Sequence, residues 1–170
     1  MLLQPFPNLQ SNRVGQCKTA MQNVASLEID PKGFLWALDL GTSAFFSRPN
    51  HLCSAKLVKI NLNGKDQRME IFHIFERNVI PKDSFILHMA YDGDRFYFAD
   101  SLQGKIIIFD LVSMKSIIID DQDVLKPVNT PVKLDDNDVP NQRFGVSGIA
   151  LQVKYLLTHF HNLIKNKLGI

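Results

Sequence analysis

Two aspartates stand at corresponding places in a degenerate internal repeat. Asp39 closes Phe34-Leu35-Trp36-Ala37-Leu38-Asp39, which follows Leu27-Glu28-Ile29-Asp30-Pro31-Lys32-Gly33. Asp100 closes Arg95-Phe96-Tyr97-Phe98-Ala99-Asp100, which follows Met89-Ala90-Tyr91-Asp92-Gly93-Asp94, and lies 61 residues after Asp39. A carboxylate at the end of an aromatic-rich strand suits one of two tasks. It can form a polar rim around a ligand channel, with Ser101 and Phe144 as further candidate contacts. It can also anchor a loop by accepting backbone N–H bonds, the commoner use of Asp beside a turn and the stronger reading here. Trp36, Phe96, Tyr97 and Phe98 could line a site for an aromatic amine, but rings in such runs more often pack between sheets.

Other chemistries find less support. His51, His73 and His88 are scattered without ligand spacing, and His159 and His161 are two apart, which on a helix points them to different faces. No metal site is expected from them. The acidic stretch with Asp120, Asp121, Asp123, Asp135, Asp136 and Asp138 lacks the EF-hand order of a Gly at six and a Glu at twelve. Ser147 sits in Gly145-Val146-Ser147-Gly148, which is not the Gly-x-Ser-x-Gly elbow, and no phosphate-cradling glycine loop or cofactor motif occurs.

The chain has 170 residues, enough for a real core, and its 45% hydrophobic and 21% charged residues are an ordinary globular balance. A net charge of +2 carried by single Lys and Arg residues gives no basic patch for nucleic acid. No apolar run approaches the roughly 18 residues of a membrane helix. The opening Met1-Leu2-Leu3-Gln4-Pro5-Phe6-Pro7 lacks the apolar segment of a signal peptide. Cys17 and Cys53 are the two cysteines; in a reducing compartment they are buried thiols, in an oxidising one an obvious pair.

The elements that must position these residues read as strands. Residues 1–16, rich in Pro, Asn and Gln, form an extended lead-in. Val24–Ile29 and Phe34–Leu40 flank the turn Asp30-Pro31-Lys32-Gly33, and the second run is apolar enough to be buried on both faces. A long loop, Gly41 to Ala55, precedes a strand at Lys56–Leu62, the Asn63-Gly64 turn and an outer strand at Arg68–Phe75. Phe85–Tyr91, Arg95–Ala99, Lys105–Leu111 and Lys115–Ile119 repeat the scheme, and Lys105–Leu111 matches Lys56–Leu62 at an offset of 49. Residues 120–144 form an acidic surface loop with one short strand at Val132–Leu134, and a third copy begins at Val146-Ser147-Gly148-Ile149-Ala150-Leu151. A strand-only repeat of this size fits four-stranded propeller blades with long loops. The last segment differs: Val153, Leu156, Leu157, Phe160, Leu163, Ile164 and Leu168 recur at helical spacing, so residues 152–170 are expected to form an amphipathic helical tail.

The blocks already quoted resemble the Yellow and major royal jelly protein family of insects. Cys17, the strand to Asp30, Leu35-Trp36-Ala37-Leu38-Asp39-Leu40-Gly41, Cys53 and Lys56-Leu57-Val58 are similar to the family's opening block. Phe98-Ala99-Asp100-Ser101, Ile106-Ile107-Ile108-Phe109-Asp110-Leu111 and Gly145-Val146-Ser147-Gly148-Ile149-Ala150-Leu151 resemble later blocks, in order, so that the likeness spans residues 5 to 151. The resemblance implies a secreted, all-β, six-bladed propeller, of which residues 17–151 would supply about two blades and the start of a third. Many Yellow members carry another cysteine where Lys32 stands here. Royal jelly members lack it and pair the remaining two, which implies a Cys17–Cys53 disulfide.

Implied too is a non-enzymatic role in pigmentation, nutrition or salivary binding of biogenic amines, a small aromatic amine being the partner. The alternative is an enzyme of a related propeller class, dopachrome-converting or lactonase-like with a metal. A lactonase-like site needs Glu, Asn and Asp converging on a central ion, and that set cannot be placed here. After Leu151 the family continues with Ser-Pro and a Tyr-rich strand, which residues 152–170 do not show. On this reading the chain is a truncated member with a tail foreign to the fold and without a complete ligand site.

Overall fold

A computed structural model describes residues 4–43, 50–64, 67–121, 123–126, 133–134, 137–138 and 145–151. Its first sheet is built from β1 (Val24–Ile29), β2 (Phe34–Asp39), β5 (Lys56–Asn61) and β6 (Met69–Ile74), in that spatial order and antiparallel throughout. Between β2 and β5 stands a two-stranded ribbon, β3 (Thr42–Ser43) with β4 (Asn50–His51). The second sheet is another four-stranded meander: β7 (Ile86–Tyr91), β8 (Arg95–Asp100), β9 (Lys105–Asp110) and β10 (Lys115–Ile119). A small ribbon follows, β11 (Lys133–Leu134) against β12 (Asn137–Asp138).

The hairpin turns form for local reasons. After β1, Asp30 accepts the N–H groups of Lys32 (2.9 Å) and Phe34 (3.0 Å) through Oδ1, while Gly33 takes φ +80, a left-handed value that suits glycine. Between β9 and β10, Asp110 Oδ1 accepts the N–H groups of Val112 and Ser113 and the Ser113 hydroxyl. Each turn fixes the register of the next strand: β2 pairs with β5 from Phe34↔Asn61 to Asp39↔Lys56, and β8 with β9 from Arg95↔Asp110 to Asp100↔Lys105.

The two sheets pack face to face. Trp36, Leu38 and Leu57 from the first, with Phe75 and Ile80 from the chain that follows β6, meet Met89, Phe96, Phe98, Ile107 and Phe109 from the second, all buried. Trp36 lies with its ring centroid 5.0 Å from both Phe72 and Phe96, and Phe75 sits 5.6 and 5.2 Å from Phe98 and Phe109. Ring contacts at these separations add to area burial, and truncating one such ring costs about 3–5 kcal/mol. The first strands of the two sheets run beside each other, where the Met89 N–H donates to Ser26 Oγ at 3.0 Å. Stacked faces with adjacent innermost strands are how neighbouring propeller blades meet. On the other face of the first sheet a smaller cluster, Met21, Ala37, Val58 and Ile60, is closed by the segment leading into β1.

Several expectations need correction. The lead-in is not simply extended: Gln10–Asn12 makes a 3-10 turn, with Asn8 Oδ1 accepting the Ser11 N–H and hydroxyl. The loop from Gly41 to Ala55 carries the β3–β4 ribbon, too short to leave an alternating pattern. The short strand expected at Val132–Leu134 is Lys133–Leu134, and it has a partner, β12, which the polar Asn137–Asp138 did not suggest. Residues 145–151 form no strand among the described residues. Instead Gly145 N–H donates to Ser101 O (2.8 Å), Val146 N–H to Leu125 O (3.0 Å) and Ile149 N–H to His88 Nδ1 (3.4 Å), tying this segment to the second sheet. The expected helix at 152–170 lies outside the described residues.

Candidate functional site

Asp39 and Asp100 end β2 and β8, equivalent strands of the two sheets, and each carboxylate holds the start of its own sheet's first strand. Asp39 Oδ1 accepts the N–H groups of Asn23 (2.8 Å) and Gly41 (2.9 Å), and Oδ2 accepts that of Gln22 (2.8 Å). Asp100 Oδ1 accepts the N–H groups of Phe85 (3.0 Å) and Gln103 (3.2 Å). Both side chains are wholly buried. The repeat seen in the sequence is thus a repeat of backbone anchoring: a carboxylate at the end of the second strand reaches back 15 to 17 residues to the chain entering the first.

The two sites differ in their second oxygen. Lys56, opposite Asp39 in the β2–β5 register, brings its ammonium 2.7 Å from Asp39 Oδ2, with exposures of 1% and 0% for the pair. That ammonium makes no other hydrogen bond among the described residues. Lys105 is opposite Asp100 in the same register but is half-exposed and forms no such pair there. Asp100 Oδ2, like Ser84 Oγ, is buried without a hydrogen-bond partner among the described residues.

Ser101 is buried as well, its hydroxyl donating to Val146 O (3.0 Å) and its N–H to Phe85 O (3.0 Å). Phe144 lies outside the described residues. Cys17 and Cys53 form a disulfide with Cα atoms 5.3 Å apart, joining the lead-in to the chain entering β5. Gly41 lies against this junction at φ +70, where a Cβ would collide with the carbonyl oxygen of Cys53.

A second pair of equivalent aspartates was not singled out in the sequence. Asp30 and Asp92 sit after β1 and β7; beyond their turn bonds, Asp30 Oδ2 accepts the Trp36 indole N–H (2.9 Å) and Asp92 Oδ2 the Tyr97 hydroxyl (2.6 Å). Burial by itself would raise the Asp30 carboxyl, but the bonds from Phe34, Trp36 and Lys32, with Lys59 nearby, hold it below the usual value. The spacing Asp-x5-Trp against Asp-x4-Tyr was the available signal, hidden by one extra residue in the first turn.

The aromatic residues divide. Trp36, Phe96 and Phe98 are core, and the Lys59 ammonium lies 4.0 and 4.9 Å from the ring centroids of Phe34 and Trp36, so that face already holds one of the protein's own cations. Tyr97 is not core: it is half-buried on the opposite face of its sheet, where burial foremost and Asp92 next raise its hydroxyl. His73 stacks on Phe109 at 4.4 Å, and burial lowers its imidazole against the pull of Glu76. Asp110, bonded by Ser113, Arg95 and Val112, is lowered to about 2. A cleft of about 600 Å³ between the lead-in and β6, lined by Ser11, Lys18, Arg68 and Met69 among others, includes none of the candidate aspartates.

The sequence profile of the family described as "Major royal jelly protein" matches residues 22–161, most of the chain. The chain belongs to the major royal jelly protein family. Among its relatives, "Protein yellow" of Drosophila subobscura is 28% identical over 118 residues, 66% of this chain and 20% of that protein. "Protein yellow" of Drosophila yakuba is likewise 28% identical over 118 residues, 66% of this chain and 21% of that protein, and that of Drosophila melanogaster is 27% identical over the same extent. The chain therefore spans about a fifth of the length of these relatives. Within the royal jelly family fold, the two four-stranded sheets are two blades of a partial β-propeller. The family match runs ten residues past Leu151, into the stretch whose composition breaks the strand pattern.

Proposed function

We propose that this chain supplies two blades of a secreted, non-enzymatic Yellow-type propeller that binds a small aromatic amine, and that Asp100 is its acceptor for the ligand ammonium. The observation that carries the reading is the unequal use of the paired aspartates. Asp39 spends both oxygens on three N–H groups and the Lys56 ammonium, whereas Asp100 keeps Oδ2 uncommitted among the described residues. A buried carboxylate oxygen without a donor is costly and is the natural counterpart of a desolvated ammonium. Secretion is supported by the Cys17–Cys53 disulfide, a bond that persists in oxidising compartments, and no helix among the described residues is long and apolar enough to cross a membrane.

Propeller ligands sit on the axis and draw on most blades, so the isolated chain should not bind. Calorimetry with serotonin or dopamine should show no measurable heat, and micromolar affinity would mean that two blades hold a complete pocket. Grafting the chain in place of the matching segment of a Drosophila protein yellow provides the positive arm. If the graft binds an amine, Asp100→Asn should weaken it at least about tenfold. An unchanged affinity would remove Asp100 from the site, and a stoichiometric tight divalent ion in the purified graft would favour an enzyme instead.

A further inference from the structure

The outer strands of the two sheets are finished differently. β6 closes the first sheet with a register shift in its pairing to β5, between Leu57 and Val58, an exposed Glu70 within the strand, and the lead-in against Met69 and Ile71. Bulges, charges within the strand and covering segments are the usual protections of a sheet edge. β10 has no bulge and no covering segment among the described residues, and its one charge, the exposed Lys115, stands at its first residue. It pairs with β9 in unbroken register over all five residues, reads Lys115-Ser116-Ile117-Ile118-Ile119, and has no hydrogen-bonded neighbour beyond it among the described residues. Ile117 is 61% exposed and Ile118 39%. This edge lies three strands away from β7, which runs beside β1, so it points away from any ring that further blades would close.

We propose that β10 is a self-association edge, to which a second copy of this chain adds its own β10 antiparallel, joining two four-stranded sheets into one of eight strands. The sequence of the edge is self-complementary in one register. Residues directly opposite in an antiparallel pair turn their backbone groups alike, while neighbours along a strand alternate, so a two-fold axis must pass through a residue. With the axis on Ile118, that residue meets its equivalent and Ile117 meets Ile119 of the second copy, while Lys115 falls beyond Ile119, the last strand residue of the second copy, toward the acidic Asp120 and Asp121. An axis on Ile117 would instead set Lys115 against Ile119, a charge against an apolar side chain. Apolar and opposite-charge cross-strand pairs stabilise a ladder, and the backbone bonds of the added strand supply the rest. Five residues bury well below the area of a permanent interface, so the dimer is weak and reversible.

Sedimentation velocity on the whole chain, from about 1 µM to about 1 mM, should show a monomer–dimer equilibrium within that range. Ile117→Lys should weaken it at least about tenfold, whereas Val112→Lys, exposed in the preceding turn, should leave it unchanged. Because Ile118 would sit on the axis, Ile118→Cys should cross-link to itself under mild oxidation, and Val124→Cys should not. A monomer at every concentration overturns the proposal. So does a dimer indifferent to Ile117→Lys, which would place the contact on an open sheet face, and so does an Ile118→Cys chain that stays monomeric on oxidation. The cross-link reads the register even if Ile117→Lys folds poorly.

Discussion

Replacing Asp39 by Asn tests how far the paired aspartates hold the fold. The carboxylate receives three backbone N–H bonds of 2.8, 2.8 and 2.9 Å and an ammonium at 2.7 Å. Asparagine has one acceptor oxygen, so its amide must face either the Gln22 N–H or the Asn23 and Gly41 pair, donor against donor. Leaving one such N–H buried and unpaired costs about 1–3 kcal/mol. Lys56, at 1% exposure and without another partner among the described residues, becomes an uncompensated buried charge, and breaking such a pair costs about 3–5 kcal/mol. The two losses overlap, giving about 4 kcal/mol against a typical domain stability of about 5–15.

Lys56→Met removes the same ion pair but leaves Asp39 solvated by its three N–H groups, so it should cost less, about 1–3 kcal/mol. Urea titration followed by fluorescence reads both, because Trp36 is the chain's single tryptophan and lies between the sheets. A variant too unstable in plain buffer is measured with trimethylamine oxide added to all proteins alike. If Asp39→Asn costs under about 0.5 kcal/mol, or if Lys56→Met proves the more harmful, the anchoring argument is wrong.

Reducing the disulfide, or replacing both Cys17 and Cys53 by Ser, releases a loop with a sequence separation of 36, and the unfolding free energy from urea titration should fall by about 3–4 kcal/mol on the chain-entropy account. Gly41→Ala should cost at least about 1–2 kcal/mol for its left-handed backbone before the clash with Cys53, seen as a lowered urea midpoint. Asp110 has a folded value of about 2, below its ordinary 3.8, so its contribution is present above pH about 4 and lost as pH falls toward 2. Stability measured from pH 5 to 2 should therefore decline less steeply for Asp110→Asn than for the parent protein.

The strands were legible because their signals are local. All eight strands of the two large sheets begin and end within one residue of the runs read from Val24–Ile29, Phe34–Leu40 and their successors, where turn residues bound apolar stretches. Phe85–Tyr91 begins one residue early because Phe85 gives its N–H to Asp100 rather than to the ladder. The anchoring carboxylates were legible as residue types at equivalent positions, but their inequality was not. Lys56 and Lys105 occupy the same register, yet Lys56 is buried against its aspartate and Lys105 is half-exposed, a difference that spacing does not carry. The strand expected at Val146–Leu151 does not form, because Ser101, Leu125 and His88 take up its backbone groups individually.

The two sheets pack as adjacent blades, with β1 beside β7 and Trp36 against Phe96. Nuclear Overhauser spectroscopy on the isotopically labelled chain measures those contacts in solution. Cross-peaks should join the Trp36 indole to the Phe96 ring, 5.0 Å between centroids, and the Ser26 β-protons to the Met89 amide, whose N–H lies 3.0 Å from Ser26 Oγ. A spectrum with both sheets intact but neither set of cross-peaks would contradict the account.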